Sequence, residues 1–294
     1  GCAGTGGANT KSSERTYGMN LIIQGLEIET RALKDLAKLS GAAQIERISA
    51  QAFRLKGASQ KQGVAEYCAV AGLDFAFVEA TARLTDFGLV AMDMDSTLIS
   101  IECIDEIADM QGIKPQVAEI TASAMRGKID FAESLQRRVA LLQGLDQAAL
   151  HRVYAERLRL SPGAEKMLQA MKAAGIKTLL VSGGFTFFTD KLKASLCLDY
   201  TAANTLEIVG GKLSGKVLGK IIDAQGKAEE LNRVRELLGL KREQVIAIGD
   251  GANDLKMLAE AGVSIAYHAK PVVREKTTYA ISHVGLDGVV NLFA

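Results

Sequence analysis

Two aspartates one residue apart, Asp93 and Asp95, follow the apolar segment 88–92 and carry the strongest chemical signal in the chain. That continuous apolar segment is typical of a strand buried on both faces of a parallel sheet. Because side chains alternate along extended backbone, we expect both carboxylates on one side of the strand end, where open α/β sheets place their ligands. Paired acids there can hold a divalent cation, and one of them can attack a phosphorus atom. The structural alternative is a turn in which Asp95 and Ser96 only cap the next helix.

A second apolar strand and a single lysine supply groups suited to a phosphate. The strand predicted over 176–181 leads into Ser182 and Gly183, a hydroxyl and a bare backbone that can approach a phosphate closely. Lys227 lies just before a helix predicted over 228–238, where a lysine is usually solvated. Neither segment establishes a site alone.

A third apolar strand, predicted over 244–248, ends in acids and small residues. Asp250 is suited to ligate a metal ion, and Asn253 and Asp254 are suited to give supporting hydrogen bonds. Because three strand ends carry complementary polar groups, turns alone do not explain the pattern.

The order of these segments resembles the haloacid-dehalogenase-like superfamily, and within it the phosphoserine phosphatase family. The superfamily motifs match Asp93-Met94-Asp95-Ser96-Thr97, Ser182-Gly183-Gly184, Lys227 and Gly249-Asp250-Gly251-Ala252-Asn253-Asp254. The closer family match adds Glu102 and segments 125–131, 133–135, 137–139, 181–185 and 266–271. The resemblance runs from about residue 88 to the C-terminus and shows no departure at a catalytic position. It implies an α/β fold with a Rossmann-like parallel sheet and an inserted helical cap.

The resemblance also implies roles for the motif residues. Asp93 is expected to attack the phosphoryl group, and Asp95 to protonate the leaving oxygen and then activate water. Magnesium is expected as the cofactor, held by the Asp93 carboxylate, the Asp95 backbone carbonyl and Asp250. Asp254 is expected behind that metal. The groups expected to bind the phosphate are Ser182, Gly183, Lys227 and Asn253.

Substrate choice is expected to come from a cap between the first two motifs, at about residues 100–160. Segments 104–112, 115–125 and 131–143 have helical periodicity. By resemblance, Glu102 faces the ammonium of the substrate and Arg138 binds its carboxylate. Met125 and Phe131 are expected to shield the pocket from water, although their near-helical spacing would also suit core residues.

The composition is compatible with a two-domain globular enzyme and does not by itself indicate a function. A chain of 294 residues with 48% hydrophobic residues can bury one large core and a smaller one, so we expect two domains. The formal net charge of +1 gives no electrostatic case for nucleic acid or an anionic membrane surface. We find no bilayer-spanning stretch and no signal-peptide pattern, so the cytoplasm is the default expectation. The scattered cysteines and histidines indicate neither a disulfide framework nor a metal-ligand set.

A small α+β domain of the ferredoxin-like kind is predicted before the catalytic domain. Residues 1–18 are rich in Gly, Ser and Thr and are expected to be disordered or an upstream extension. The alternating pattern over 19–84 predicts strands at 20–24, 47–55 and 75–80 and helices at 27–39 and 63–71. It resembles the ACT-like domain of many bacterial members of the family. The catalytic domain is then expected over 85–294, with a hairpin within 204–219.

The function implied by the resemblance is magnesium-dependent hydrolysis of O-phospho-L-serine through an aspartyl-phosphate, the last step of serine biosynthesis. The enzyme alternative is another small-molecule phosphatase or a phosphomutase of the same superfamily. A ligand-sensing module with a vestigial site is the alternative from another class. The expected partners are a small phosphate ester and a second copy of the chain, paired through exposed sheet edges or helices.

Overall fold

The structure is a computed structural model that describes residues 18–293. The expectation for residues 1–18 therefore lies outside the described residues, apart from Gly18. Within the described part of the chain, no helix is both long enough and apolar enough to cross a membrane.

The N-terminal part is a four-stranded antiparallel sheet with two helices, in the order expected for a ferredoxin-like fold. Its elements are β1 (Met19–Gln24), α1 (Thr30–Ser40), β2 (Gln44–Ser49), β3 (Ala52–Ala58), α2 (Val64–Ala71) and β4 (Asp74–Glu79). The strand order is β2-β3-β1-β4. The single strand predicted over 47–55 is wrong, because the chain reverses there between β2 and β3. The turn residues Ala50 and Gln51 carry no glycine, asparagine or proline, so the sequence gives no turn signal.

The two faces of this sheet are buried against different partners. Leu21 and Ile23 of β1 pack with Leu36 of α1 in a core of their own. Ile22 and Val78, on the opposite face, belong to the large apolar cluster of the following domain. The division into domains at residues 84 and 85 therefore stays a prediction, since apolar packing continues across it.

The second part is built on a seven-stranded sheet in the order β11-β10-β9-β5-β6-β7-β8. All neighbouring strands are parallel except β7 and β8, which form the expected hairpin. In chain order, the elements that begin this part are β5 (Leu89–Met92), α3 (Cys103–Met110), α4 (Lys114–Met125), α5 (Phe131–Ala140), α6 (Ala148–Arg152), α7 (Ala164–Ala173), β6 (Lys177–Phe185) and α8 (Thr186–Leu196). The remaining elements are β7 (Tyr200–Val209), β8 (Lys212–Leu218), α9 (Ala224–Leu237), β9 (Val245–Gly249), α10 (Leu255–Ala259), β10 (Val263–Tyr267), α11 (Pro271–Arg274), β11 (Tyr279–Ile281) and α12 (Gly288–Asn291).

Strand β5 lies at the centre of this sheet, and all four of its residues are buried. Val90 and Met92 pack into one apolar cluster, and Leu89 and Ala91 into another on the opposite face. This arrangement explains the continuous apolar run, because a strand covered on both faces has no solvent side. The expected Rossmann-like sheet is confirmed.

The helical cap lies between β5 and β6 and consists of α3 to α6 with a π-helical turn at Val153–Arg157. Its entry and exit segments run side by side: Ser161 N–H donates to Leu98 O at 2.9 Å, and Ser100 N–H to Arg159 O at 2.9 Å. The predicted cap helices are present. Helix α9 begins at Ala224, before the predicted start, so Lys227 lies in its first turn; Asp223 caps it by accepting from Gly226 N–H.

Polar contacts join the N-terminal sheet to the last segment of the chain. Asp74, at the start of β4, is buried and its carboxylate accepts from the N–H groups of Ser282, His283 and Val284 at 2.8–3.2 Å. Gln24, also buried, donates to Gly288 O at 2.9 Å. Because an unpaired buried N–H is costly, we expect Asp74 to contribute strongly to the contact between the N-terminal sheet and residues 282–284.

We predict that Asp74→Ala lowers the free energy of unfolding by about 2–4 kcal/mol, because three N–H groups lose their acceptor. Chemical denaturation followed by circular dichroism measures the change. Glu79→Ala, at the exposed end of the same strand, is the matched control and should change stability by less than about 0.5 kcal/mol. Equal stability of the two variants would contradict this role of Asp74.

Candidate active site

A buried lysine between two carboxylates forms the centre of the site. Lys227 Nζ donates to Asp93 Oδ1 at 2.8 Å and to Asp254 Oδ1 at 2.9 Å. The three side chains are 1%, 7% and 0% exposed, respectively. Although burial favours the neutral amine, the charges of Asp254 and Asp93 raise the pKa of Lys227, so it stays an ammonium. The ion triad therefore fixes the position of Asp93.

The loop after β9 is held in shape by the second oxygen of Asp254. Asp254 Oδ2 accepts from the N–H groups of Asp250 and Gly251, each at 3.1 Å. Thr97 Oγ1 donates to Asp250 Oδ1 at 2.9 Å and so joins this loop to the one after β5. Asp254 thus holds the backbone of Asp250 in place and does not line the cavity.

Asp95 lies beside the first turn of α3. Cys103 N–H donates to Asp95 Oδ1 at 3.2 Å. Burial raises the pKa of Asp95 to about 6, and the Cys103 N–H opposes that change. A carboxyl group with such a pKa can both give and take a proton near neutral pH.

The segment at the end of β6 presents its backbone to the same place. Strand β6 continues through Ser182 and Gly183, and Gly184 N–H donates to Ser182 Oγ at 2.8 Å. A Cβ on Gly183 would lie 2.9 Å from the ring of Phe131, so the close approach of the cap requires glycine there. Asn204 Nδ2 donates to Gly183 O at 2.9 Å and fixes this backbone.

The cap contributes one acid and one base. Glu102, open to solvent on one side, accepts from Ser96 Oγ at 2.7 Å. Burial by the surrounding protein, with the negative charge of Asp95, raises the pKa of Glu102 to about 8. An ammonium group bound beside Glu102 would lower that pKa and favour the carboxylate. Arg138 is half-buried, and burial lowers its pKa.

A cavity of about 130 Å³, partly open to solvent, brings most of the expected site residues together. The residues expected from the sequence that line it are Asp93, Asp95, Glu102, Phe131, Arg138, Gly183, Asp250 and Asn253. Ser182, Lys227 and Asp254 are buried directly behind them. Met125 is not among the lining residues and is 73% exposed at the end of α4, so the structure does not bring it to the cavity.

The acids of this site fit a divalent cation. One carboxylate oxygen from each of Asp93, Asp250 and Asp254 lies within 4.8 Å of the other two. Burial and the charge of Asp254 raise the pKa of both Asp93 and Asp250, so Lys227 alone does not balance their negative charge. Hard carboxylate oxygens with excess negative charge suit a hard cation. Asp93 and Asp250 line the cavity, whereas both oxygens of Asp254 are occupied by hydrogen bonds.

Three positioning groups are not evident from the sequence. Thr97 belongs to one of the motifs, but its contact with Asp250 cannot be deduced without the sheet order. Asn204 lies within β7, where its only signal is a polar residue in a strand. The Cys103 N–H is a backbone group and has no sequence signal.

Comparisons with known proteins show the family to which this chain belongs. The haloacid dehalogenase-like hydrolase family matches residues 87–262, and a domain of unknown function (DUF4072) matches residues 21–64. A phosphoserine phosphatase of Polaromonas sp. is 54% identical over 215 residues, covering 71% of this chain and 91% of the relative. The chain therefore belongs to the haloacid dehalogenase-like hydrolase family.

Solved structures extend the likeness to the whole fold. The unliganded probable phosphoserine phosphatase of Vibrio cholerae has a TM-score of 0.82 at 37% identity, covering 93% of this chain and 86% of its own. A phospho-aspartyl intermediate analogue of phosphoserine phosphatase has a TM-score of 0.66 at 38% identity, covering 71% of this chain and 99% of its own. The match to the Vibrio cholerae structure covers nearly the whole of this chain and so includes the N-terminal sheet. The match to the intermediate analogue covers a shorter part of this chain.

We predict that Thr97→Val weakens binding of a divalent cation about tenfold, because Asp250 loses the hydrogen bond that orients it. The near-equal shape of valine should leave the fold intact. Calorimetric titration with magnesium, with thermal melting as the check on folding, measures the change. Unchanged affinity in a folded variant would show that Thr97 does not orient the ligand.

Proposed function

We propose that the chain hydrolyses O-phospho-L-serine to L-serine and inorganic phosphate through an aspartyl-phosphate at Asp93. The observation that carries this proposal is the buried Lys227–Asp93 pair facing a cavity that also contains Asp95 and the opposite charges Glu102 and Arg138. A phosphate ester with an amino-acid head needs each of these groups.

Asp93 is the nucleophile in the first step. Its carboxylate oxygen forms a bond to phosphorus while the bond from phosphorus to the serine oxygen breaks. Asp95 gives its proton to that leaving oxygen, which departs as the serine hydroxyl. A pKa of about 6 keeps a protonated fraction of Asp95 available for this transfer.

Water completes the reaction in the second step. Asp95, now a carboxylate, takes a proton from water as the water oxygen attacks phosphorus. The bond to Asp93 breaks, phosphate leaves, and both carboxyl groups return to their starting states. The N–H of Cys103 holds Asp95 in place for both transfers.

The charge of the transferred group is stabilised by groups already in position. Lys227 is expected to contact a phosphoryl oxygen beside Asp93, and Ser182 and the backbone at Gly183 the others. Asn253 lines the same cavity and can donate its amide. A bound magnesium ion, held by Asp93, Asp250 and the Asp95 carbonyl, would offset the repulsion between nucleophile and phosphate.

The amino-acid head is bound by the cap in this proposal. Glu102 binds the ammonium and Arg138 the carboxylate, while Phe131 covers the reacting atoms. Met125 requires movement of the cap to reach the substrate, since its side chain is exposed here. The reaction is the last step of serine biosynthesis. Strand β2 lies at one edge of the N-terminal sheet formed by residues 18–293, and this edge is a candidate surface for a homodimer.

We predict phosphate release from O-phospho-L-serine in preference to other phosphorylated small molecules, and only with a divalent cation.

Asp93→Asn should reduce kcat by a factor of about 10³ or more, because an amide does not attack phosphorus. Asp95→Asn should bind magnesium normally but lose turnover and the pH dependence of the parent. A malachite-green assay of phosphate release across a panel of substrates measures the substrate preference and the turnover of both variants.

Return of phosphate to a second hydroxyl without release would indicate a phosphomutase. Loss of turnover in the parent with retained ligand binding would indicate a sensing module. Activity of Asp93→Asn within about tenfold of the parent would exclude the nucleophile assignment.

We predict that Glu102→Gln and Arg138→Ala reduce kcat/KM for O-phospho-L-serine by about 10- to 100-fold, because each leaves one charge of the head unpaired in a partly desolvated pocket. Hydrolysis of para-nitrophenyl phosphate, which lacks that head, should change by less than about threefold. Arg137→Ala is the matched control, since Arg137 is exposed and paired with Glu133 on the same helix. Equal losses on both substrates would assign these residues to the fold or the phosphate site.

A further inference from the structure

The cavity keeps two opposite charges apart. Among the ion pairs formed by residues 18–293, none joins Glu102 to Arg138, although both line the same cavity and the charge of Glu102 acts on Arg138. Direct pairing would neutralise both groups and fill the space for a zwitterionic head. Some feature of the protein must therefore hold each side chain in its own place.

Each of the two charges has a separate tether. Arg138 Nε donates to Ser134 O at 3.2 Å, one turn back on α5. Glu102 Oε1 accepts from Ser96 Oγ at 2.7 Å. The first tether is backbone and cannot be varied by substitution, whereas the second depends on one hydroxyl.

The backbone of Ser96 indicates that this hydroxyl has a role. Ser96 has a φ of 57°, in the left-handed region that glycine adopts without strain. Its N–H donates to Ile101 O at 3.2 Å, which closes the loop immediately before Glu102. Glycine would satisfy that backbone bond at lower strain, so the side chain is the feature that serine adds.

The position of Glu102 leads to the same residue. Glu102 is the N-cap of α3, yet its side chain makes no capping hydrogen bond to that helix. Its carboxylate turns back over the loop to Ser96 instead. The Ser96 hydroxyl therefore gives the Glu102 carboxylate a hydrogen-bond donor in place of the N–H groups at the start of α3.

We propose that Ser96 is a positioning residue for substrate specificity, whose hydroxyl holds Glu102 toward the ammonium of the substrate and away from Arg138. The inference rests on the proposed function, since it assigns Ser96 a part in recognition of the amino-acid head. Ser96 acts through Glu102 and touches no reacting atom.

The test compares Ser96→Gly and Ser96→Ala in the full chain with magnesium. Glycine removes the hydroxyl and relieves the backbone, while alanine removes it and keeps a Cβ. Ser100→Ala is the matched control, because Ser100 is an exposed serine of the same loop whose hydroxyl donates to Arg159 O. Thermal melting establishes that each variant is folded, and steady-state kinetics are measured with O-phospho-L-serine and with para-nitrophenyl phosphate.

Both Ser96 variants should raise KM for O-phospho-L-serine about tenfold, with kcat and all constants for para-nitrophenyl phosphate within about twofold of the parent. In a Glu102→Gln background the same substitutions should add no further increase. An unchanged KM, equal effects on the two substrates, or full additivity with Glu102→Gln would overturn the role of Ser96. A parent that releases phosphate from para-nitrophenyl phosphate and not from O-phospho-L-serine would instead overturn the proposed substrate, and the inference with it.

Discussion

The site depends on one constraint, a lysine ammonium enclosed in the protein with two carboxylates as its partners. Lys227 contacts Asp93 and Asp254, and all three side chains are almost wholly buried. A buried charge without a partner is strongly destabilising, so the three elements that carry these residues must come together in one arrangement. Those elements are the loop after β5, helix α9 and the loop after β9. The contacts of Lys227 therefore hold these three elements together and also fix the position of the nucleophile Asp93.

The remaining chemistry follows from the order of the strands. Strands β9, β5 and β6 are neighbours, so the groups at their carboxyl ends converge although they are far apart in sequence. Asp95 and Asp250 add negative charge that Lys227 does not balance, which makes the site fit a cation and a phosphate together. The cap adds Glu102 and Arg138, which bring an acid and a base to the same cavity.

The sequence predicted the parallel core because its strands are apolar on both faces, and it predicted the polar groups at three strand ends because each group follows such a strand. Lys227, in the first turn of α9, was indicated only by the family resemblance. It could not show the reversal at Ala50 and Gln51, where the turn lacks the residues that turns usually require. Thr97 and Asn204 act through hydrogen bonds to residues that are distant in the chain, and only the sheet order brings these partners together. Met125 depends on the position of the cap, which local periodicity does not determine.

The N-terminal sheet binds the last segment of the chain, and none of its residues lines the cavity. Asp74 holds the backbone of residues 282–284, and Leu286 N–H donates to Pro162 O at 2.8 Å. The neighbouring Ser161 N–H donates to Leu98 O, in the loop that carries the first motif. These side-chain and backbone hydrogen bonds, with the short stretches of chain between them, link the N-terminal sheet to both connections of the cap. Packing and these contacts therefore join the two parts, while the N-terminal sheet contributes no group to the cavity.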